Sequence, residues 1–366
     1  MKEELVDILL ATYNSNEEFL KLQIDSILNQ SYKNINLLIS DDASTNKGIL
    51  NILQHYEMVD KRVRIYMQEK NIGYLKNFEF LLNKSNANYV MFSDHDDIWH
   101  EDKIEKCLKK LKEEDLDLVY CNCTHIDEKG KVLYKSYIDY KSMPKFETKL
   151  SKDGKTDKEI LPFSRHIAIG CSQIFTKNVK EKMLPFTDKM MAHDWASLYI
   201  ANRFKGVGYI DEPLFDYRIH SSNVFGGRNL TQNLKKWKSI HGKDKKAFRE
   251  YREDVIQKHY LDGALMCKEY SLKIKDEIEK ELIDSDNTIE NKEKKREEKT
   301  EEKIKISRLE DSVILYYEGL LDTNCINLRI LKYRKYLKYR GIGKRKLKEK
   351  LIFHFPIIAY IIYRFK

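Results

Sequence analysis

At 366 residues, with 42% apolar, 34% charged and 11% aromatic residues, the chain is long enough for one large domain with an appendage or for two modest domains. That composition excludes both a disordered chain and a polytopic membrane protein. The net charge of +9 sits at one end: residues 1–230 carry 33 Lys and Arg against 35 Asp and Glu, residues 231–330 carry 22 of each, and residues 331–366 carry 12 against Glu349 alone, so the basicity says little about the partners of the rest.

Met1–Leu5 is polar and runs directly into a strand, which predicts a cytoplasmic protein without a secretory leader. From Val6 to Thr124 short β-branched runs alternate with helical patterns at the spacing of βαβ units. Strands are expected at residues 6–12, 35–39, 63–67, 89–92 and 116–121. Helices are expected at residues 17–29, capped by Asn14, Ser15 or Asn16, and at residues 74–83. The fold class that follows is α/β, an open, doubly wound, mostly parallel sheet with helices on both faces. Residues 131–160 are rich in lysine and weakly patterned, which predicts a mobile loop over the ligand edge. An apolar stretch at 167–175, a helix at about 192–204 and a last strand region at 208–217 come next. Beyond Asn229 the character changes: residues 268–310 alternate Lys and Glu, as a solvated helix with i, i+4 charge pairs or a linker does. Cys107, Cys121, Cys123, Cys171, Cys267 and Cys325 have no regular spacing and read as free buried thiols, not a metal or disulfide framework.

Ligands of such sheets bind beyond the carboxyl ends of the strands, and three strand ends here are polar: Thr12-Tyr13-Asn14, Asp41-Asp42-Ala43-Ser44 and Asp94-His95-Asp96-Asp97. Carboxylates crowded as in 94–97 raise one another's pKa unless a cation lies among them. A hard divalent ion bridging such acids to a diphosphate relieves the repulsion. Helix capping accounts for Asp97 but not for Asp94 and Asp96 as well, and His95 reads as a spacer. Asp41 or Asp42 can accept the imide N–H of a uracil or thymine while Tyr13 offers the base a flat face. An Asx turn explains the same two acids equally well. Asp194, in the first turn of its helix, is kept ionised by the helix dipole and is either an ordinary cap or a general base.

Ala11-Thr12-Tyr13-Asn14, the Asp41–Ser44 turn, Asn71-Ile72-Gly73 with Asn77-Phe78, Ser93–Trp99, His193-Asp194-Trp195 and Tyr217–Asn223 together resemble, in order, the inverting glycosyltransferases of family 2, which have a GT-A fold. The Asp-Asp-Ile-Trp and Tyr-Arg-x-His pieces look most like the rhamnosyltransferase-like branch. The resemblance implies that Tyr13 and Asp42, supported by Asp41, hold the pyrimidine of a nucleotide-sugar donor. It implies that Asp94 reaches the ribose or the metal, that Asp96 is the principal ligand of Mn²⁺ or Mg²⁺, and that His220 completes the metal or diphosphate site. Asp194 would deprotonate the acceptor hydroxyl, on a glycan or a lipid-linked acceptor. Thr12, Asn14, Asn71, Gly73 and Asn77 would complete the donor side. Arg218 would support the diphosphate or make structural hydrogen bonds. The family often has Gly where Ala43 stands and Gln or Ala where His95 stands. Residues 231–366 lie outside the resemblance, so the expected division is a catalytic domain at 1–230, a charged helical region at 231–330 and a basic, aromatic tail at 331–366.

In that tail, Lys332–Lys350 leads into an apolar run, Leu351–Tyr363, interrupted by His354 and Pro356. The run is too short to span a bilayer core, which needs about 20 residues. A basic stretch beside an aromatic, apolar one suits a peripheral anchor on the anionic inner face of the cell membrane; a packed helix or a dimer contact are the alternatives. No nucleic-acid recognition motif accompanies it. A scaffold that keeps the fold, or a nucleotidyltransferase, would explain less: the first has no need of so many clustered acids, and the second usually carries a glycine-rich, basic loop after its first strand, where Thr12–Asn16 has neither.

Overall fold

The structure, a computed structural model, describes residues 3–136, 168–220, 223, 239, 250 and 261–284. β1 (Val6–Thr12) is buried along nearly its whole length, as a parallel strand covered on both faces must be. It pairs in parallel with β2 (Ile35–Asp41) and β4 (Tyr89–Ser93), and β2 pairs in parallel with β3 (Val63–Met67). Thr12 is opposite Asp41 and Leu10 opposite Ser93, so the three polar strand ends share one edge.

The helices between these strands follow from local chemistry. α1 (Glu17–Leu28) starts where Asn16 caps the N–H groups of Glu18 and Phe19, and it buries Leu20, Gln23, Ile24 and Ile27, one face of a 3.6-residue period. α2 (Lys47–Val59) is capped by Asn46. α3 (Tyr74–Lys84) starts at Gly73, whose φ of 82° a side chain would strain.

Beyond β4 the sheet becomes mixed, in the order β3-β2-β1-β4-β8-β6-β9-β5, with β7 (Val132–Tyr134) paired to β6 (Leu118–Ile126). β8 (Gln173–Thr176) is inserted antiparallel between β4 and β6. The 3₁₀ turn Gly170–Ser172 that precedes it therefore lies at the carboxyl end of β4. β9 (Val207–Arg218) runs parallel to β6 and antiparallel to the short β5 (Ile98–Trp99), with Ile98 opposite Asp216, which brings Arg218 and His220 back to the 94–97 turn. α4 (Lys103–Glu113) follows β5, α5 (Lys177–Met183) follows β8, and α6 (His193–Arg203) is buried on all sides, Asp194 being its least buried residue.

The core gathers Ile8, Leu10, Ile24, Leu37, Ile39 and Met91 with α4 residues such as Ile104 and Cys107. The expected parallel strand ending at Cys121 runs on to Ile126. Cys107, Cys121, Cys123, Cys171 and Cys267 are free and buried, and Cys325 lies outside the described residues. A second unit contains α7 (Asp262–Asp284), which buries Ala264, Met266, Cys267, Tyr270 and Ile274 and so is more than a solvated charged helix up to that point. The expected loop beyond residue 136 and the tail at 332–366 lie outside the described residues.

Candidate active site

At the β1–β2 edge most of the expected donor residues brace the chain. The Thr12 and Ser15 hydroxyls are 2.6 Å apart and buried. Asn14, at φ 45°, accepts the N–H groups of Thr45 (2.9 Å) and Asn46 (3.3 Å) on its Oδ1. Asp42 takes the N–H of Ile72 on Oδ1 (2.7 Å) and that of Gly73 on Oδ2 (2.9 Å), so its carboxylate fixes the start of α3. Buried Asn77 donates to the Ser40 carbonyl at 2.9 Å, while Asn71, exposed, reaches the Asp42 carbonyl at 3.4 Å. Asp41 closes the Asx turn by accepting the Ser44 N–H at 2.8 Å, and its other oxygen is buried with no partner among the described residues. Tyr13, 48% exposed, is the group at this edge that offers a free face. Ala43 stands at φ 61°, a conformation that glycine adopts without strain.

The acidic turn lies at the end of β4 and is braced from α1. Gln23 donates to Ser93 Oγ at 2.7 Å, and Ser26 Oγ accepts the Trp99 N–H at 3.0 Å. Asp96 Oδ2 lies 2.7 Å from His220 Nε2 and 4.0 Å from His95 Nε2. Burial pushes the Asp96 carboxyl up, but His95 and the His220 hydrogen bond outweigh it and hold it below the ordinary carboxylate range. Asp94 is pushed up to about 6 by burial and by the Asp96 charge. Asp97 is raised further by burial, Asp96 and Asp94.

One expectation changes here. Asp97 is no helix cap, since α4 begins at Lys103; Asp97 Oδ1 accepts the Arg218 N–H at 3.1 Å, and its Oδ2 is buried without a partner among the described residues. Of the two roles expected of Arg218, the structural hydrogen bonds are present. Its buried guanidinium donates to the carbonyls of Asp96 (2.9 Å) and Asp127 (3.2 Å) and stacks on Phe19 at 4.2 Å, and thereby holds the acidic turn in place. The expected ligand set of Asp94, Asp96 and His220 is also partitioned: Asp96 is joined to His220, while ligand atoms of Asp94, Asp97 and Cys171 lie within 4.8 Å of one another.

Crowding of this kind has a measurable consequence for stability. Because the folded Asp94 carboxyl holds its proton more tightly than an unfolded one, its contribution to stability is present below the ordinary carboxylate range and is lost as pH rises through about 6. Asp94→Asn is therefore expected to melt above the parent at pH 8, by about 2–4 °C for about 1 kcal/mol in a domain of this size. The gap should close toward pH 4. Equal differences at both pH values, read by calorimetry, would show that Asp94 is not under this strain.

Across from the turn, α6 presents His193 and Asp194. The His193 ring packs against Phe78 (4.2 Å between centroids) and Phe92 (4.4 Å), which makes it part of the core. Asp194 is half-buried, and its charge contributes to raising both Asp94 and, after burial, the Tyr74 hydroxyl, which is pushed up to about 12. The fold thus brings Asp94, Asp96, Asp97, Asp194 and His220 into one electrostatic neighbourhood.

Sequence reasoning passed over Lys103 and Gln173. Lys103 is fully buried, donates to the Cys171 carbonyl at 2.6 Å, and lies 3.5 Å and 4.2 Å from the ring centres of Trp99 and Phe215; burial lowers its pKa. The signal was present, since Lys103 shares the i, i+4, i+8 row of α4 with buried Cys107 and Leu111. Gln173 carried no such mark.

The family model described as Glycosyl transferase family 2 matches residues 7–184, from β1 through α5. The uncharacterized glycosyltransferase MJ1057 of Methanocaldococcus jannaschii is 29% identical over 254 residues, 68% of this chain and 83% of that protein. The putative teichuronic acid biosynthesis glycosyltransferase TuaG of Bacillus subtilis is 26% identical over 275 residues, 73% of this chain and 94% of that protein. The crystal structure of S. aureus TarS 1-349 in complex with UDP-GlcNAc aligns with 94% of this chain and 91% of that one at 12% identity, with a TM-score of 0.48. The stretch of residues 7–184, which carries the acid-lined edge of the α/β sheet, is a glycosyl transferase family 2 domain.

Proposed function

We propose that this family 2 chain moves a hexosyl or rhamnosyl group from a UDP- or dTDP-linked donor to a hydroxyl of a growing surface glycan or lipid-linked acceptor, with inversion at the anomeric carbon. What supports the reading is that the charge of Asp194, on a buried helix, acts on Asp94 of the acidic turn, because an in-line displacement needs a base on one side of the sugar and charge stabilisation on the other. Tyr13 would stack on the base, and Asp41 Oδ1, buried and unpartnered, would accept its imide N–H. Asp42, Asn14, Thr12 and Asn77 hold that edge in shape. The name of the B. subtilis relative supports a surface polymer as acceptor.

The acidic turn fits a hard divalent cation, Mn²⁺ or Mg²⁺. Asp94 and Asp97 are raised by burial and by the Asp96 charge, and Asp97 keeps a buried oxygen without a partner among the described residues; a cation would relieve the crowding of charge and give that oxygen a partner. Asp96 with Asp94 would hold it, and His220 would orient Asp96. Bound there, a cation would neutralise charge on the departing diphosphate. Asp194 would take the acceptor proton, and Arg218 would keep Asp96 in register. UDP-, dTDP- and GDP-sugars screened for hydrolysis and thermal shift with and without Mn²⁺ test the reading; a Mn²⁺-dependent response to one donor is expected, and a response to none would overturn it.

The proposed division is a catalytic domain at 1–230, a charged helical region at 231–330 and a membrane-surface tail at 331–366. Among the described residues no helix is long and apolar enough to cross a membrane. A peripheral position on the inner face of the cell membrane follows from the basic, aromatic tail. Deletion of residues 332–366 is expected to release the protein from anionic vesicles, read by co-sedimentation, and to leave donor hydrolysis unchanged. Vesicle binding equal to that of the full chain would remove the anchor.

A further inference from the structure

The candidate base stands on a helix that does not fix its own beginning. The N-cap of α6 is Ala192, which has no side-chain acceptor for the first N–H groups, and Asp194 lies in that first turn. Contacts from outside hold the turn instead. Tyr74 donates its hydroxyl to the Met191 carbonyl at 3.3 Å, and Gln173 Nε2 donates to the Asp194 carbonyl at 3.0 Å. Gln173 is fully buried, and its amide is oriented by Ser197, whose hydroxyl lies 2.5 Å from Gln173 Oε1 and 3.0 Å from the Asp194 carbonyl.

Gln173 is in turn tied to the acidic turn. It follows the 3₁₀ turn Gly170–Ser172, in which Cys171 places its thiol among Asp94 and Asp97 and its carbonyl on the Lys103 ammonium. At Gly170 a Cβ would stand 2.8 Å from His193 Nε2 and 3.5 Å from Asp194 Cβ, so the turn and the start of α6 approach too closely for any side chain. Lys103, locked between Trp99 and Phe215, fixes the turn from beneath. One short segment, 170–173, therefore touches the acids through Cys171 and the helix of the base through Gly170 and Gln173.

We infer that Gln173 is a positioning residue that sets the place of Asp194 relative to the Asp94–Asp97 turn, with Gly170 and Lys103 holding the segment that carries it. The inference rests on the proposed role of Asp194 as base. Misplacement of a reacting group by about 1 Å lowers rate by as much as about 100-fold without a matching loss of binding. A residue that acts only through Asp194 has no effect once Asp194 is gone, whereas a residue that merely supports the fold goes on subtracting stability and activity.

The test is a cycle of Gln173→Met, Asp194→Asn and the double variant, in the full chain. The probe is hydrolysis of UDP-glucose, UDP-N-acetylglucosamine and dTDP-rhamnose, followed by release of the nucleoside diphosphate. For the donor that the parent turns over fastest, Gln173→Met is expected to lower kcat about 10- to 100-fold with donor KM within about threefold, and to lower it no further in the Asp194→Asn background. Additive losses, or an unchanged kcat, would overturn the assignment. Ser197→Ala removes the hydroxyl that orients the amide and is the milder variant should Gln173→Met fail to fold; it too should lose kcat only where Asp194 is present, and a loss persisting without Asp194 would count against the inference. Crystal structures of the parent and of Gln173→Met or Ser197→Ala give a reading independent of turnover: the Asp194 carboxylate should shift relative to Asp94. If the parent hydrolyses none of the donors, the proposed function fails, whereas an unmoved Asp194 in the variant refutes the positioning role by itself.

Discussion

Asp194→Asn is expected to reduce sugar transfer by about 100- to 10,000-fold while donor affinity stays within about threefold. In a single displacement the acceptor hydroxyl attacks opposite the diphosphate, and its proton must go to a base on that side. Asn keeps the shape of the side chain and removes the basicity. Structure is little affected, because α6 is pinned through the Asp194 carbonyl, which the substitution leaves in place. The loss of a carboxylate in a first helical turn costs about 0.3–1 kcal/mol through the helix dipole. Melting temperature, donor affinity and transfer rate measured on this one variant separate the two roles. A folded Asp194→Asn protein with normal transfer would refute the base assignment, and a product of retained anomeric configuration would refute the displacement itself.

Asp96→Asn is expected to weaken Mn²⁺-dependent donor binding by about 100-fold, about 2.8 kcal/mol, because it removes the charge that a hard cation at the diphosphate depends on. Burial pushes this carboxyl up, yet His95 and His220 bring it below the ordinary range, so it carries full charge at neutral pH where Asp94 carries less. The amide oxygen of Asn can still accept from His220, and the Arg218 bond goes to the backbone carbonyl of residue 96, so the fold is expected to survive. Calorimetric titration of UDP with and without Mn²⁺ checks this. Binding as tight as in the parent would move the cation to Asp94 and Asp97. Asp194→Asn and Asp96→Asn should thus lose different things, the first rate and the second binding.

How much of this was legible beforehand depended on the distance over which each feature is determined. The bounds of β1 and β3 were readable to the residue, and those of α1 and α3 to within one, since periodicity, an Asn cap and a glycine at φ 82° act within a few positions. The polar strand ends were legible for the same reason: a parallel sheet aligns the ends of its strands, so Thr12, Asp41 and Ser93 had to meet near one edge. The turn at Asp41 admitted two readings from sequence; the Ser44 N–H contact makes it an Asx turn, and its other oxygen has no partner among the described residues.

What residue types alone could not convey was which polar groups spend themselves on the fold. Asp42, Asn14, Asn77 and Arg218 carry the same donors and acceptors whether they face a ligand or a carbonyl, and the partners they have in the fold lie 30 to 122 positions away. The antiparallel insertion of β8 and the return of β9 along β5 are pairings between distant segments, which no local period encodes. Those two pairings placed Cys171 beside the acids and Gln173 against α6, and carried His220 to Asp96. The sequence by itself determined the parallel half of the sheet and the acids at its edge, because local propensity and spacing suffice for these, and its ordered motifs carried the family resemblance. Only the tertiary structure decided which of those side chains hydrogen-bond within the fold, because burial and partners that the chain brings together from far apart set that.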